Sequence, residues 1–199
     1  MFKKISVLIP IYNEKNTIKQ CVESVLKADI GDLELEVIIS DNNSYDGTKE
    51  ILKSFNDKRI KVLYREKNNG KGANIKNALG EASGDLILFQ DGDLEYSPND
   101  FKDLIEPFYT YNADVVYGSR LTRARATNII GFPNYIANIL VTFLMNLLFN
   151  KIFTDIATGY KVFKKDIIKN LEITSDGFEI EPEITAKISK NKNIKIFEV

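Results

Sequence analysis

Apolar runs of about four to six residues alternate along this chain with longer stretches whose apolar positions recur at helical spacing. Ser6 to Ile11 is rich in β-branched residues and reads as a first strand. Asn13 is placed to cap a helix with apolar positions at Ile18, Cys21, Val22, Val25 and Leu26. Gly31 and Asp32 break that pattern, Leu35 to Ser40 predicts a second buried strand, and the polar Asp41-Asn42-Asn43-Ser44 follows at once. Thr48 to Phe55 returns to helical spacing and Arg59 to Tyr64 predicts a third strand. Asn68-Asn69-Gly70-Lys71-Gly72 opens a helix through Leu79, and Gly84 turns the chain into a fourth strand, Leu86 to Phe89.

The second half continues the alternation. Ser97-Pro98-Asn99-Asp100 is a strong helix start, with Ser97 as N-cap and Pro98 at the first helical position. Asp114 to Ser119 predicts another strand. Thr154 to Tyr160 reads as a turn into Lys161-Val162-Phe163, followed by helices at Asp166 to Leu171 and Ile184 to Ser189 and a last strand at Ile194 to Val199. Strands that read as continuous apolar runs between helices imply an α/β fold whose mostly parallel central sheet is covered on both faces. Neither a repeat nor a linker interrupts the pattern, so residues 1–199 are expected to form one domain.

Ile129 to Phe153 is the most apolar stretch, yet Pro133 breaks its start and Asn134, Asn138, Asn146 and Asn150 interrupt it. Those asparagines fall near one helical face. The pattern fits an amphipathic helix that packs in the core or lies on a membrane surface better than it fits a transmembrane span.

Composition narrows the chemistry. With 44% hydrophobic and 28% charged residues and a formal charge of -1, the chain is an ordinary globular sequence, which argues against general nucleic-acid binding. Its single cysteine, Cys21, sits in an apolar helical pattern and reads as a core residue. The two lysines within Met1 to Ser6 precede no separate apolar segment, so no secretory signal is expected. Histidine is absent, which removes imidazole bases, Ser-His-Asp and Cys-His chemistry and histidine-bound zinc.

The fourth strand ends in Asp91, Asp93 and Glu95, spaced by two. If the chain stays extended there, the three carboxylates point one way and suit Mg²⁺ or Mn²⁺; otherwise they form an acidic surface turn. The loops after the first four predicted strands are all polar, and ligands of parallel sheets bind at that edge, which favours a site. Arg120, Arg123 and Arg125 suit phosphate recognition, although a solvated basic loop has the same composition. An EF-hand is excluded because Tyr96 and Lys102 stand where glycine and glutamate are needed. Pro10-Ile11-Tyr12-Asn13-Glu14 is no dinucleotide-binding turn, and it lacks the glycine- and arginine-rich loop of a nucleotidyltransferase. Gly70-Lys71-Gly72 lacks the spacing of a phosphate-loop nucleotidase but is placed to line a nucleotide pocket through backbone amides.

Taken in order, Ile9-Pro10-Ile11-Tyr12-Asn13-Glu14, Asp41-Asn42-Asn43-Ser44-Tyr45-Asp46-Gly47-Thr48, Asn69-Gly70-Lys71-Gly72, Gln90-Asp91-Gly92-Asp93-Leu94-Glu95-Tyr96 and Gly118-Ser119-Arg120 resemble the motifs of glycosyltransferase family 2. Asp155 to Phe163 and Phe178 to Ile184 are similar to the branch of dolichyl-phosphate mannosyltransferase and bacterial polyprenyl-phosphate sugar transferases. The resemblance implies a GT-A fold, a Rossmann-like three-layer sandwich, and an inverting transfer from a UDP- or GDP-linked sugar to a polyprenyl phosphate at the cytosolic membrane face. It implies that Asp91 and Asp93 bind Mg²⁺ or Mn²⁺ and the donor diphosphate, with Glu95 as a further ligand. Asp41 would contact the base; Pro10, Tyr12 and Glu14 would line its pocket, and Asn43, Gly70, Lys71 and Gln90 belong to the same donor-binding motifs. Arg120, with Arg123 or Arg125, would hold phosphates. An ionised lipid phosphate needs no base, whereas a hydroxyl acceptor would call on Asp155 or Glu181. Asn42 replaces a second acidic residue found in many relatives, and the family's usual segment beyond the last strand is expected to be missing after Val199, which leaves an inactive nucleotide-sugar-binding module as the non-enzyme alternative.

Overall fold

The computed structural model describes residues 2–121 and 131–199, so Arg123 and Arg125 lie outside the described residues. The elements are β1 (Lys4–Ile11), α1 (Ile18–Val25), β2 (Glu34–Asp41), α2 (Thr48–Ser54), β3 (Ile60–Tyr64), α3 (Lys71–Glu81) and β4 (Leu86–Phe89), then α4 (Phe101–Thr110), β5 (Val115–Tyr117), α5 (Phe132–Phe149), β6 (Lys161–Lys164), α6 (Lys165–Lys169), α7 (Ile180–Lys190) and β7 (Ile196–Glu198). A single turn of 3-10 helix, Pro98–Asp100, leads into α4, and Ser97 caps it by accepting a hydrogen bond from the Asn99 amide.

The sheet has seven strands in the order β3-β2-β1-β4-β6-β5-β7. β1 is parallel to both β2 and β4, which leaves the topological switch of the chain at the β1/β4 boundary. β6 alone among the described strands reverses direction, pairing antiparallel with β4 and with β5. It therefore starts at the edge where β4 and β5 end, with Lys161 opposite Phe89 and Tyr117. That reversal carries the 154–160 turn to the ligand-binding edge.

Alternation along the strands separates two cores. Ile5, Val7, Ile9, Leu86, Leu88, Val116 and Val162 face one side and pack with α1 and α4. Leu8, Ile38, Ile87, Phe89, Val115 and Phe163 face the other and pack with α3, α6 and α7. This is the three-layer arrangement expected from the pattern, and β4 is buried on both faces, as its unbroken apolar run requires.

Two helix starts differ from the sequence reading. α1 begins after Thr17, not at an Asn13 cap; Asn13 takes a left-handed φ of 58° and its Oδ1 accepts the Tyr45 amide at 3.0 Å, tying the loops after β1 and β2 together. α7 begins four residues earlier than predicted, at Ile180. Pro182 does not prevent this, because amides of the first helical turn have no intrahelical partner to lose. Glu181 is thereby placed in the first turn of α7.

The middle of the polar stripe of α5 points inward, while Asn134 and Asn150 at its ends stay exposed and its apolar surface faces outward. Asn138, Thr142 and Met145 are buried, whereas Phe132, Leu140, Phe143, Leu147 and Leu148 are exposed, Leu148 by 72%. Asn146 makes a reciprocal pair with Phe153, donating to its carbonyl and accepting its amide, both at 2.8 Å. By length and composition α5 is able to cross a membrane, but its inward amides anchor it to the domain.

Replacing Leu88 with alanine deletes a fully buried side chain from the central strand. The expected cost is about 3 kcal/mol of folding stability, read from the denaturant midpoint, and a loss under about 1 kcal/mol would contradict this account of β4 as the packed centre.

Candidate active site

A cavity of about 760 Å³ opens at the C-terminal edge of β1, β2 and β4. Its walls include Pro10, Tyr12, Glu14, Asn42, Gly70, Lys71, Asp91, Asp93, Glu95, Tyr96, Arg120 and Glu181, together with Asn134, Ala137, Asn138 and Val141 from α5. The size suits a ligand such as a nucleotide sugar. The loops after the first four strands thus meet in one place, joined by Arg120 and Glu181.

The acidic segment is a turn rather than an extended strand end. β4 stops at Phe89, and Leu94 takes a left-handed φ of 67°, so spacing by two no longer sends three carboxylates the same way. Among the described residues no group of three or more acidic, cysteine or histidine side chains gathers into a ready-made cation cage. The three expected carboxylates nevertheless line the same cavity. Asp91 and Asp93 still interact: Asp93 is held above the ordinary carboxylate range, first by burial and then by the charge of Asp91. Glu95 is raised by burial, then by Asp93 and Asp91. The Cys21 thiol beneath them is pushed up to about 12 by burial, with Asp93, Asp91 and Glu14 adding to the shift. Such a concentration of negative charge fits a divalent cation.

Lys71 supplies the protein's own positive charge there. Its ammonium lies 2.8 Å from Asp91 Oδ1 and 3.0 Å from Oδ2, and 3.4 Å from Glu181 Oε1. Burial alone would lower its pKa, but Asp91 and Glu181 outweigh burial and raise it. The backbone amides around it are used differently from expectation. Gly72 and Ala73 donate to the carbonyls of Gly177 and Asp176, and Gly70 donates to Asn68 Oδ1, so these amides serve the chain itself.

Other expected residues sit behind the wall. Asp41 is fully buried at the end of β2, with its carboxylate accepting the Ser44 amide at 3.2 and 3.3 Å; it shapes the turn and does not line the cavity. Asn43 accepts a bond from Lys49 at 2.7 Å and also lies off the wall. Asn42 faces the cavity and laces two loops, donating to Asn68 Oδ1 and the Gly70 carbonyl and accepting the Asn69 amide. That use of both ends of an amide explains asparagine here, since a carboxylate could not donate. Gln90 is buried; it donates to the Asp91 carbonyl and accepts from Tyr160 Oη, both at 2.8 Å, and so fixes the start of the acidic turn.

Asp155 is fully buried and bound to Arg120, accepting Nε at 2.7 Å, Nη2 at 2.9 Å and the backbone amide at 3.1 Å. Asn138 of α5 donates to the same carboxylate at 2.8 Å. Burial would raise the Asp155 pKa, but Arg120 overrides it and holds the group below the ordinary range. This carboxylate does not line the cavity, and its visible work is to aim Arg120, which does. Gly159, which sequence reasoning missed, touches the acidic turn from the same segment. A Cβ at 159 would collide with Asp91 Oδ2 and lie 2.9 Å from the Tyr96 ring, and the Gly159 amide donates to Tyr96 Oη at 2.7 Å.

Comparison with known proteins assigns the arrangement. The family model described as Glycosyl transferase family 2 matches residues 6–172. The chain belongs to glycosyltransferase family 2. It is 28% identical to a dolichol-phosphate mannosyltransferase of Pyrococcus furiosus over 98% of this chain and 55% of that protein. It is 30% identical to an uncharacterized protein of Methanocaldococcus jannaschii, over 96% of this chain and 84% of that protein. The glycosyltransferase AglJ of Haloferax volcanii is 27% identical over 94% of this chain and 58% of its own length. The family 2 chain thus spans little more than half of two of these curated relatives. In structure it superposes on glucosyl-3-phosphoglycerate synthase from Mycobacterium tuberculosis, solved with Mn²⁺, UDP and phosphoglyceric acid, with a TM-score of 0.76 at 22% identity over 99% of this chain and 68% of that one. That likeness establishes the GT-A architecture.

Removing the Asp155 carboxylate as Asp155→Ala leaves Arg120 without its buried partner. A loss of about 3 kcal/mol is expected, read from chemical denaturation at pH 7. Because the folded pKa of Asp155 is depressed, its contribution is present above the unfolded value of about 3.9 and is lost as pH falls through the folded value. Equal wild-type and variant stability at pH 7 would contradict the role given to the pair.

Proposed function

We propose that this family 2 domain is an inverting glycosyltransferase that moves a sugar from a UDP- or GDP-linked donor to a polyprenyl phosphate at the cytosolic face of a membrane. The observation that carries the reading is the position of α5. Its apolar outer surface is exposed while its inner residues form one wall of the cavity that holds Asp91, Asp93, Lys71 and Arg120. A water-soluble donor and a lipid-borne acceptor have to meet in such a place. The name of the Pyrococcus relative supports the acceptor, and the UDP and Mn²⁺ bound in the mycobacterial structure support the donor and the metal.

In this reading Asp91 and Asp93 hold Mg²⁺ or Mn²⁺ and Glu95 borders it. When bound, the cation neutralises the charge that grows on the departing diphosphate. Pro10, Tyr12 and Glu14 line the nucleotide end of the cavity, and Asp41 and Asn43 act from behind by fixing the loop that carries Asn42. Gly70 and Lys71 lie at the diphosphate, and Gln90 sets the acidic turn beneath it. Arg120, aimed by Asp155, pairs with a phosphate through its planar fork. The acceptor's phosphate oxygen forms its bond to the anomeric carbon as the donor carbon–oxygen bond breaks, and the electron pair leaves with the nucleoside diphosphate. That oxygen is already ionised, so a chain without histidine needs no proton acceptor for the step. Contact of α5 with the lipid surface makes the domain a peripheral membrane protein.

Incubating the protein with radiolabelled nucleotide sugars and a membrane fraction should move label into organic-extractable lipid. Label confined to water-soluble glycan would sink the lipid acceptor and leave a hydroxyl acceptor as the reading.

Asp93→Ala should abolish Mn²⁺-dependent donor binding measured by calorimetry. Since Asp93 is raised by burial and by the charge of Asp91, protons compete with the metal at higher pH than at an exposed aspartate, and wild-type affinity should decline as the pH is lowered, from a higher pH than an ordinary aspartate would show. Tight metal-dependent binding that survives Asp93→Ala would remove this residue from the site.

A further inference from the structure

α5 is attached to the domain largely through polar groups. Of its eighteen residues only Asn138, Thr142 and Met145 are buried, and the first two grip the turn that precedes β6. Asn138 Nδ2 donates to Asp155 Oδ1 at 2.8 Å, Asn138 Oδ1 accepts the Ala157 amide at 3.4 Å, and Thr142 Oγ1 accepts the Ile156 amide at 3.4 Å. A helix that buries so little apolar surface is held by a few bonds of modest net worth, which puts it among the easily opened parts of a fold.

The far side of the same turn holds groups that face the ligand. Asp155 Oδ1 also accepts Arg120 Nη2 at 2.9 Å, so one oxygen is shared between α5 and the arginine, while Oδ2 takes Nε at 2.7 Å. Asp155 is fully buried, whereas Asn138 and Arg120 both line the cavity. A carboxylate held by a guanidinium alone can turn together with it. The Asn138 donor comes from a different element, and it fixes the plane of the carboxylate and with it the direction of the arginine fork. The other end of the Asn138 amide accepts from Thr142 and Ala157, which settles which end donates.

Resting on the reading that α5 lies on a lipid surface and Arg120 holds phosphate, we propose that Asn138 is a positioning residue for the transfer. It makes the aim of Arg120 depend on α5 being seated, so contact of α5 with lipid tightens the hold of the site on phosphate. In water, a loosened α5 gives its inner amides to solvent at small cost. With its apolar face in lipid that exchange is less available, because acyl chains offer no hydrogen bonds, and the seated helix is favoured. Seated, α5 presents Asn138 to Asp155; loosened, it leaves Asp155 to Arg120 alone.

The test follows the Arg120 Nε–H in ¹H–¹⁵N spectra of the whole chain, identified by its loss in Arg120→Lys, and measures its exchange with solvent in the presence and absence of phosphatidylcholine bicelles. In the wild-type chain bicelles should slow that exchange at least about threefold. Asn138→Ala should exchange at least about fivefold faster than wild type, as fits the loss of one hydrogen bond to a charged group, and bicelles should change its rate less than about twofold. Thr142→Val loosens α5 but leaves the Asn138 donor in place, so its exchange should quicken in water and return toward the wild-type rate on bicelles. A wild-type rate in Asn138→Ala, or a Thr142→Val defect that lipid does not repair, overturns the assignment. If the wild-type chain sediments with phosphatidylcholine vesicles while bicelles leave its Nε–H exchange unchanged, the link through Asn138 fails alone. If it does not sediment with them, the membrane part of the proposed function fails as well. Should Asn138→Ala not fold, Thr142→Val, which keeps the side-chain shape, decides by the same comparison.

Discussion

Carboxylates gathered at the rim of a buried sheet can stay charged only if positive groups come to them from elsewhere in the chain, and much of this fold is arranged around that requirement. Asp91 lies in the turn just after the central strand; Lys71 reaches it from α3, Glu181 meets Lys71 from α7, and Lys161 meets Glu181 from β6. Charge alternates along the row, and each member belongs to a different element. Taking such groups out of water costs several kcal/mol apiece before pairing, so the row holds only while all four elements are packed. Asp155 and Arg120 repeat the logic at the next position along the edge. The site is in this sense a by-product of neutrality as much as of ligand binding.

Much of the architecture was legible in the chain. The apolar run Leu86 to Phe89 coincides with β4 because a strand buried on both faces has to be apolar throughout, and the polar loops mark the edge where parallel strands end. Ser97 and Pro98 announced their helical turn through local chemistry alone. The reversal of β6 was not legible, since Lys161-Val162-Phe163 reads the same in either direction and only its neighbours decide. Everything that depends on that reversal was hidden too, including the approach of Gly159 to Asp91 and the hold of Asp155 on Arg120.

The places where the structure departs from the pattern share a cause. Spacing by two implies one-sidedness only in an extended chain, and the left-handed Leu94 cancels it. Asp41 and Asn43 stand in the expected loop but turn their side chains to the loop's own amide and to Lys49, because short polar side chains find nearby partners before distant ligands. The asparagine stripe of the apolar segment was visible as a pattern. Its direction was not, since a helix that buries amides and exposes leucines inverts the rule on which direction is assigned.

Asn138 gives that inversion a mechanical meaning. Its amide reaches Asp155 at 2.8 Å, while its carbonyl oxygen accepts from Thr142 at 3.2 Å and from the Ala157 amide at 3.4 Å. Turning α5 by one residue would swing the amide through about 100° and break all three bonds. The helix is therefore keyed, like a shaft in a slotted hub: its greasy side has a fixed azimuth, and the depth of the cavity beneath that surface is set by bond lengths and not by a hinge.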